Sequence, residues 1–122
     1  MKAMIVDDSR AMRMILSKIL KEIGFEIAEA GHGREAIERM KILAGPPELI
    51  LVDWNMPEMN GIELVHALRA QREYDDSRIM MVTTETELAH VAQALQAGAN
   101  EYMMKPFTKD AVIDKLKLLG MA

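Results

Sequence analysis

The chain has 122 residues, half of them apolar and 28% charged, a globular balance that supports one hydrophobic core rather than a disordered chain. It has no cysteine, which excludes a disulfide framework and a thiolate metal site. The net charge is −4, from 15 basic and 19 acidic residues, and nonspecific nucleic-acid binding would need a basic footprint instead.

No apolar run reaches membrane-spanning length, and Asp7 and Asp8 interrupt the first one too early for a secretory signal. The expectation is a cytoplasmic protein with no membrane or nucleic-acid partner. The twelve methionines read as flexible core filler.

In chain order, Ala3–Val6 is a short continuous apolar run, the pattern of a strand buried on both faces. Ser9 then offers a helix cap. Ala11–Ile23 follows with Met12, Ile15, Leu16, Ile19, Leu20 and Ile23 on one stripe, and Gly24 is the stop. Glu26–Ala30 is a strand whose two glutamates suggest an edge with one wet side. Arg34–Leu43 is a second helix, ended by Gly45-Pro46-Pro47. Leu49–Val52 is a buried strand, and Gly61–Gln71 a third helix. Ile79–Val82 is the fourth strand, Glu87–Ala97 the fourth helix with Gly98 closing it, and Tyr102–Met104 the fifth strand. Thr108 caps a last helix over 108–119, with Gly120 as its stop.

Five repeats of strand then helix predict an α/β fold: a doubly wound five-stranded parallel sheet with five helices, joined by right-handed crossovers. Residues 1–122 are expected to form one domain. In such a sheet, ligands bind outside the carboxyl ends of the strands. Asp7-Asp8, Asp53, Thr83-Thr84 and Lys105 stand there and should converge on one rim.

Three carboxylates in one pocket repel one another, and a divalent cation removes that conflict. Oxygen ligands without His or Cys favour Mg²⁺ or a similar hard ion, which leans on phosphate oxygens. Lys105 then suits a transferred phosphoryl group, Thr83 can donate a hydroxyl hydrogen bond to it, and a carboxylate can itself be the nucleophile. Each feature alone has a plainer reading: an acidic helix start for Asp7-Asp8, a turn at Asp53, a helix entry at Thr83-Thr84, a solvated lysine before Pro106. Their occurrence at four strand ends carries the chemical reading.

On Val6-Asp7-Asp8-Ser9, Asp53-Trp54-Asn55-Met56-Pro57, Asn60-Gly61, Met81-Val82-Thr83 and Lys105-Pro106-Phe107, the chain resembles the receiver domains of bacterial two-component response regulators. It is most like the family's single-domain chemotaxis members, and the likeness spans nearly the whole chain. The resemblance, not the periodicity, implies the flavodoxin-like strand order 2-1-3-4-5. It implies Asp53 as phosphoacceptor from a histidine kinase. Mg²⁺ would be held by Asp53 and directly by Asp8, through water by Asp7, and by the backbone carbonyl of Asn55. Lys105 would contact the phosphoryl group and Thr83 would hydrogen-bond it. The Lys105–Pro106 bond would be cis, and Tyr102 would be the switch aromatic.

Asn55 and Glu85 match the chemotaxis pattern beside the pocket, which implies a short-lived aspartyl phosphate. Thr84 stands where many receivers carry a smaller residue, which would narrow access. The resemblance also implies an output face of Val91, Leu95, Ala99, Tyr102, Met104 and Lys115, with the flagellar motor-switch protein as target and a phosphatase as a further partner. Periodicity competes here, because Leu88, Val91 and Leu95 form a stripe that would ordinarily face the core. His32, His66 and His90 lack metal-ligand spacing and are expected at the surface.

The reading is therefore a signalling protein that catalyses only its own phosphorylation and dephosphorylation. The alternatives are a phosphate sink or relay for a histidine phosphotransfer protein, an aspartyl-nucleophile phosphatase, and an FMN module. Asp7-Asp8-Ser9 lacks the Asp-x-Asp-x-Thr spacing of the phosphatase, and the acids stand where an FMN phosphate loop belongs.

Overall fold

A computed structural model describes residues 1–84 and 89–122. The strands are β1 (Lys2–Val6), β2 (Glu26–Ala30), β3 (Leu49–Asp53), β4 (Arg78–Thr83) and β5 (Glu101–Met104). The α-helices are α1 (Arg10–Ile23), α2 (Gly33–Lys41), α3 (Gly61–Arg69), α4 (Val91–Ala97) and α5 (Lys109–Leu118). All strand pairings are parallel, in the order β2-β1-β3-β4-β5.

The continuous apolar runs serve both faces of this sheet, because successive side chains point to opposite sides. Met4, Val6, Ile50, Val52, Ile79 and Met81 enter one core, with Ala36 and Met40 of α2, Leu64, Val65 and Leu68 of α3 and Ala94 of α4. Their neighbours Ala3, Ile5, Leu49, Leu51, Met80 and Val82 enter the other, with Leu16 and Leu20 of α1 and Val112 and Leu116 of α5. β2 lies at the sheet edge beside β1, with Glu26 exposed.

Helix ends follow local chemistry. Ser9 and Thr108 accept from the backbone N–H groups of Met12 and Ala111, and Gly24 closes α1 in the left-handed region at φ 116°. Two helices stop earlier than their periodicity suggests. α2 ends at Lys41 rather than Leu43. α3 ends at Arg69 rather than Gln71, and a 3₁₀ turn over Arg72–Tyr74 takes over. There the Arg69 guanidinium donates to the carbonyls of Tyr74, Ser77 and Gly98 at 2.6, 2.8 and 2.9 Å and to Asn100 Oδ1 at 2.8 Å, binding the chain after α3 to the turn before β5. Glu85, and Glu87 and Leu88 at the start of the expected fourth helix, lie outside the described residues. Ile15 is 50% exposed, because it sits about 100° around the axis from Leu16, off the centre of the core stripe.

Candidate functional site

Sheet register brings the strand-end residues to one height. Val6 pairs with Val52, Asp53 with Val82, and Thr83 with Met104, so Asp7, Asp53, Thr83 and Lys105 leave adjacent strands along the same edge. Asp7 and Asp53 are buried, Asp8 is exposed, and one carboxylate oxygen from each lies within 4.8 Å of the others.

The two buried acids are held by their surroundings. The Asp7 N–H donates to the Ala30 carbonyl at 3.1 Å, and Asp7 Oδ1 accepts the Ser9 N–H at 2.8 Å. Arg13 reaches back from α1 to donate to the Asp7 carbonyl at 2.6 Å, while its Nε pairs with Glu29 of β2 at 3.2 Å. Lys105 Nζ stands 3.2 Å from both Asp7 Oδ2 and Asp53 Oδ1. The Lys105 N–H donates to the Thr83 carbonyl at 2.6 Å, and the Lys105–Pro106 bond is cis. Burial alone would lower the Lys105 pKa, but Asp53 and Asp7 outweigh it and hold the ammonium above the ordinary lysine value.

The Thr83 hydroxyl is buried and has no hydrogen-bond partner among the described residues. A buried hydroxyl without a partner is costly, so its position beside Asp53 asks for an acceptor.

The loop from Asp53 to α3 is built tightly. The Gly61 N–H donates to the Trp54 carbonyl at 2.9 Å, and a Cβ on Gly61 would lie 2.7 Å from the Asp53 carbonyl, so glycine alone fits. Glu58 takes φ 66° in a turn closed by the Met59 N–H on the Pro57 carbonyl at 2.7 Å. Asn60 and Glu63 form a capping box at the start of α3. Asn55 is exposed in this loop, two residues beyond Asp53.

Asp7, Asp8, Asp53, Thr83 and Lys105 thus lie along one strand-end edge. The donor set fits a hard divalent cation: three carboxylates against one ammonium leave a net −2 on these groups, and Asp8 faces solvent. Tyr102 lies farther along the sheet, half-buried, with Lys115 Nζ 4.6 Å from its ring centre and 3.3 Å from Glu101.

The expected output face divides. Leu95 and Met104 are exposed, but Val91 and Ala99 are buried and do not offer themselves to a partner. The reason is that α4 turns Val91 and Ala94, three positions apart, inward, while Ala99 tucks into the core beyond Gly98. Nor are all three histidines simple surface groups. His66 is exposed, but His32 caps α2 by accepting the Glu35 N–H, and the half-buried His90 stacks on Trp54. Sequence reasoning missed Arg13 and His90. Arg13 carried one signal, a cation in the first turn of the predicted first helix, close after the acid pair.

The response regulator receiver domain family matches residues 3–117. The chain is 43% identical over 120 residues to the chemotaxis protein CheY1 of Helicobacter pylori, covering 98% of this chain and 96% of that protein. It is 45% identical over 118 residues to a chemotaxis protein CheY homolog of Campylobacter jejuni, covering 96% of this chain and 90% of that one. Among solved structures, the chemotaxis response regulator CheY4 of Vibrio cholerae superposes with a TM-score of 0.88 at 34% identity, covering 97% of each chain.

Proposed function

The chain belongs to the response regulator receiver family, among its CheY-type chemotaxis members, and from that premise we propose that it is a switch thrown by phosphorylation of Asp53. The observation that carries this is the buried Asp53 carboxylate, 3.2 Å from Lys105 and clustered with Asp7 and Asp8.

In the forward step, an Asp53 carboxylate oxygen attacks the phosphorus of a histidine kinase's phosphohistidine. An O–P bond forms, the N–P bond breaks, and its electron pair leaves with the imidazole nitrogen. Lys105 stays charged and faces the transferred phosphoryl group. Thr83 gives its hydroxyl hydrogen bond to a phosphoryl oxygen. Asp8, Asp53 and the Asn55 carbonyl, with Asp7 through water, would hold Mg²⁺, which when bound would neutralise charge on the carboxylates and the phosphoryl group. Return to the resting form needs only water: its oxygen attacks phosphorus, and Asp53 departs as carboxylate. The protein thus acts on its own acceptor and turns over no external substrate, as befits a family of signalling proteins.

Output follows from a population shift. Thr83 moves toward the phosphoryl group, Tyr102 turns inward, and the surface carrying Leu95, Tyr102, Met104 and Lys115 gains affinity for the flagellar motor-switch protein. Residues 1–122 act as one cytoplasmic receiver domain in this reading. Among the described residues, no helix is long and apolar enough to cross a membrane.

The test is binding of the motor-switch protein's N-terminal peptide with and without Mg²⁺ and beryllofluoride, a phosphoryl mimic. Binding that strengthens with the mimic supports the whole reading. Loading at Asp53 without peptide binding would keep the switch and replace its partner, as a relay role requires. Failure to load would end the reading.

A further inference from the structure

Four of the α-helices begin with a side chain tied to their own backbone. Ser9 accepts from Met12, His32 from Glu35, Asn60 from Glu63 and Thr108 from Ala111. His90 holds the matching position before α4 and makes no capping bond among the described residues. Its ring lies instead on the indole of Trp54, with centroids 4.4 Å apart and planes 10° from parallel.

Trp54 is the residue after Asp53, and its carbonyl accepts the first N–H of α3. The start of α4 is therefore anchored to the loop that leads out of the acid cluster. α4 in turn carries Leu95, 41% exposed, about 40° around the helix axis from the buried Val91 and so at the edge of the packed face. A stacked ring pair has a preferred offset and spacing, so a displacement of one ring is resisted unless the other follows.

We propose that His90 is a positioning residue of the switch, its stack on Trp54 linking the Asp53 loop mechanically to α4. Loading the acid cluster displaces Trp54, and the stack carries that displacement to the N-terminus of α4 and on to the surface around Leu95. This route runs beside the one through Thr83 and Tyr102. It rests on the reading of Asp53 as the acceptor.

Amide chemical shifts test the link without any partner protein. The wild type, His90→Ala, His90→Gln and His90→Phe are each titrated with Mg²⁺ and beryllofluoride. In the wild type, amides of 91–97 should move together with those of Thr83 and Lys105. His90→Phe keeps a stacking ring and should keep that response. His90→Ala should lose at least half of the α4 response while Thr83 and Lys105 respond as before, and His90→Gln should behave alike should the alanine variant fold poorly. Emission of Trp54, the chain's single tryptophan, should differ from wild type in the alanine variant and not return to it on loading. A full α4 response in His90→Ala or His90→Gln, with normal loading, would overturn the link alone. Absence of any response at Thr83 and Lys105 in the wild type would overturn the acceptor reading, and the link with it.

Discussion

Replacing Thr83 by Val should stabilise the protein while disabling its switch. Substitutions at buried strand positions usually destabilise. Thr83 is 2% exposed, yet its hydroxyl has no hydrogen-bond partner among the described residues. An unpaired buried hydroxyl costs about 1–3 kcal/mol, and the methyl that replaces it adds favourable apolar burial. Val keeps the β-branch that suits a strand, so little rotamer cost opposes the gain. Allowing for imperfect packing, the net expectation is about 1–2 kcal/mol of added stability. For a domain of this size, that is a rise in Tm of roughly 3–10 °C. The loaded state should change the other way. A hydrogen bond to a charged acceptor contributes about 1.5–3 kcal/mol, so affinity for Mg²⁺ and beryllofluoride should fall roughly 10- to 100-fold. Thermal melts followed by circular dichroism, with and without the mimic, read both effects. Thr83→Ser is the control, since it keeps the hydroxyl and loses a buried methyl: it should melt lower and still load. A Thr83→Val protein that melts below the wild type, or that loads the mimic undiminished, would refute the reasoning.

Asp53→Asn should abolish phosphorylation from a small phosphodonor and leave the fold intact, read by phosphoryl labelling beside circular dichroism. The same variant tests the charge network. Burial opposes the Lys105 charge, but Asp53 and Asp7 hold its pKa up, so its contribution is full below the unfolded lysine value of about 10.4 and lost as pH rises through the folded one. Removing Asp53 takes away the larger attraction, so alkaline loss of stability should begin at lower pH in melts run from about pH 9 to 11. Arg69→Ala should cost about 3–5 kcal/mol in urea unfolding, because four acceptors at the joint of α3, the 3₁₀ turn and the start of β5 lose one charged donor together. Glu58→Gly should raise stability by about 0.5–1 kcal/mol, since Glu58 is exposed and held at φ 66°, a region glycine enters without strain; a loss in urea unfolding would mean that its side chain is used.

The strand ends were legible because one covalent step joins each of them to a buried apolar run. Once Leu49–Val52 is a central strand, Asp53 has nowhere to be but its carboxyl edge, and the same holds for Asp7 after Val6 and Thr83 after Val82. Helix faces lack such a fix. The stripe through Val91 and Leu95 and the pair Val91 and Ala94 fit a helical period equally well, and only packing against the sheet and α3 selects the second. Contacts between distant segments were not legible at all. Arg69 on the Gly98 carbonyl and His90 on Trp54 join residues 29 and 36 positions apart, and neither pairing leaves a periodic trace.

The resting site holds two unfavourable arrangements side by side. Asp7, Asp8 and Asp53 cluster three carboxylates, two of them against Lys105, and Thr83 buries a hydroxyl without a partner among the described residues. A cation together with a phosphoryl group would relieve both, because each supplies what one of them lacks. Most binding sites must first give up good interactions with water, whereas here part of the cost is already present in the folded chain. On the proposed reading, relief of that cost would favour the conformer in which Thr83 reaches the phosphoryl oxygen. A site optimised for resting stability, with Val at position 83, would hold nothing in reserve for phosphorylation to release. On the proposed reading, the same residue would set both how stable the resting fold is and how far phosphorylation moves it.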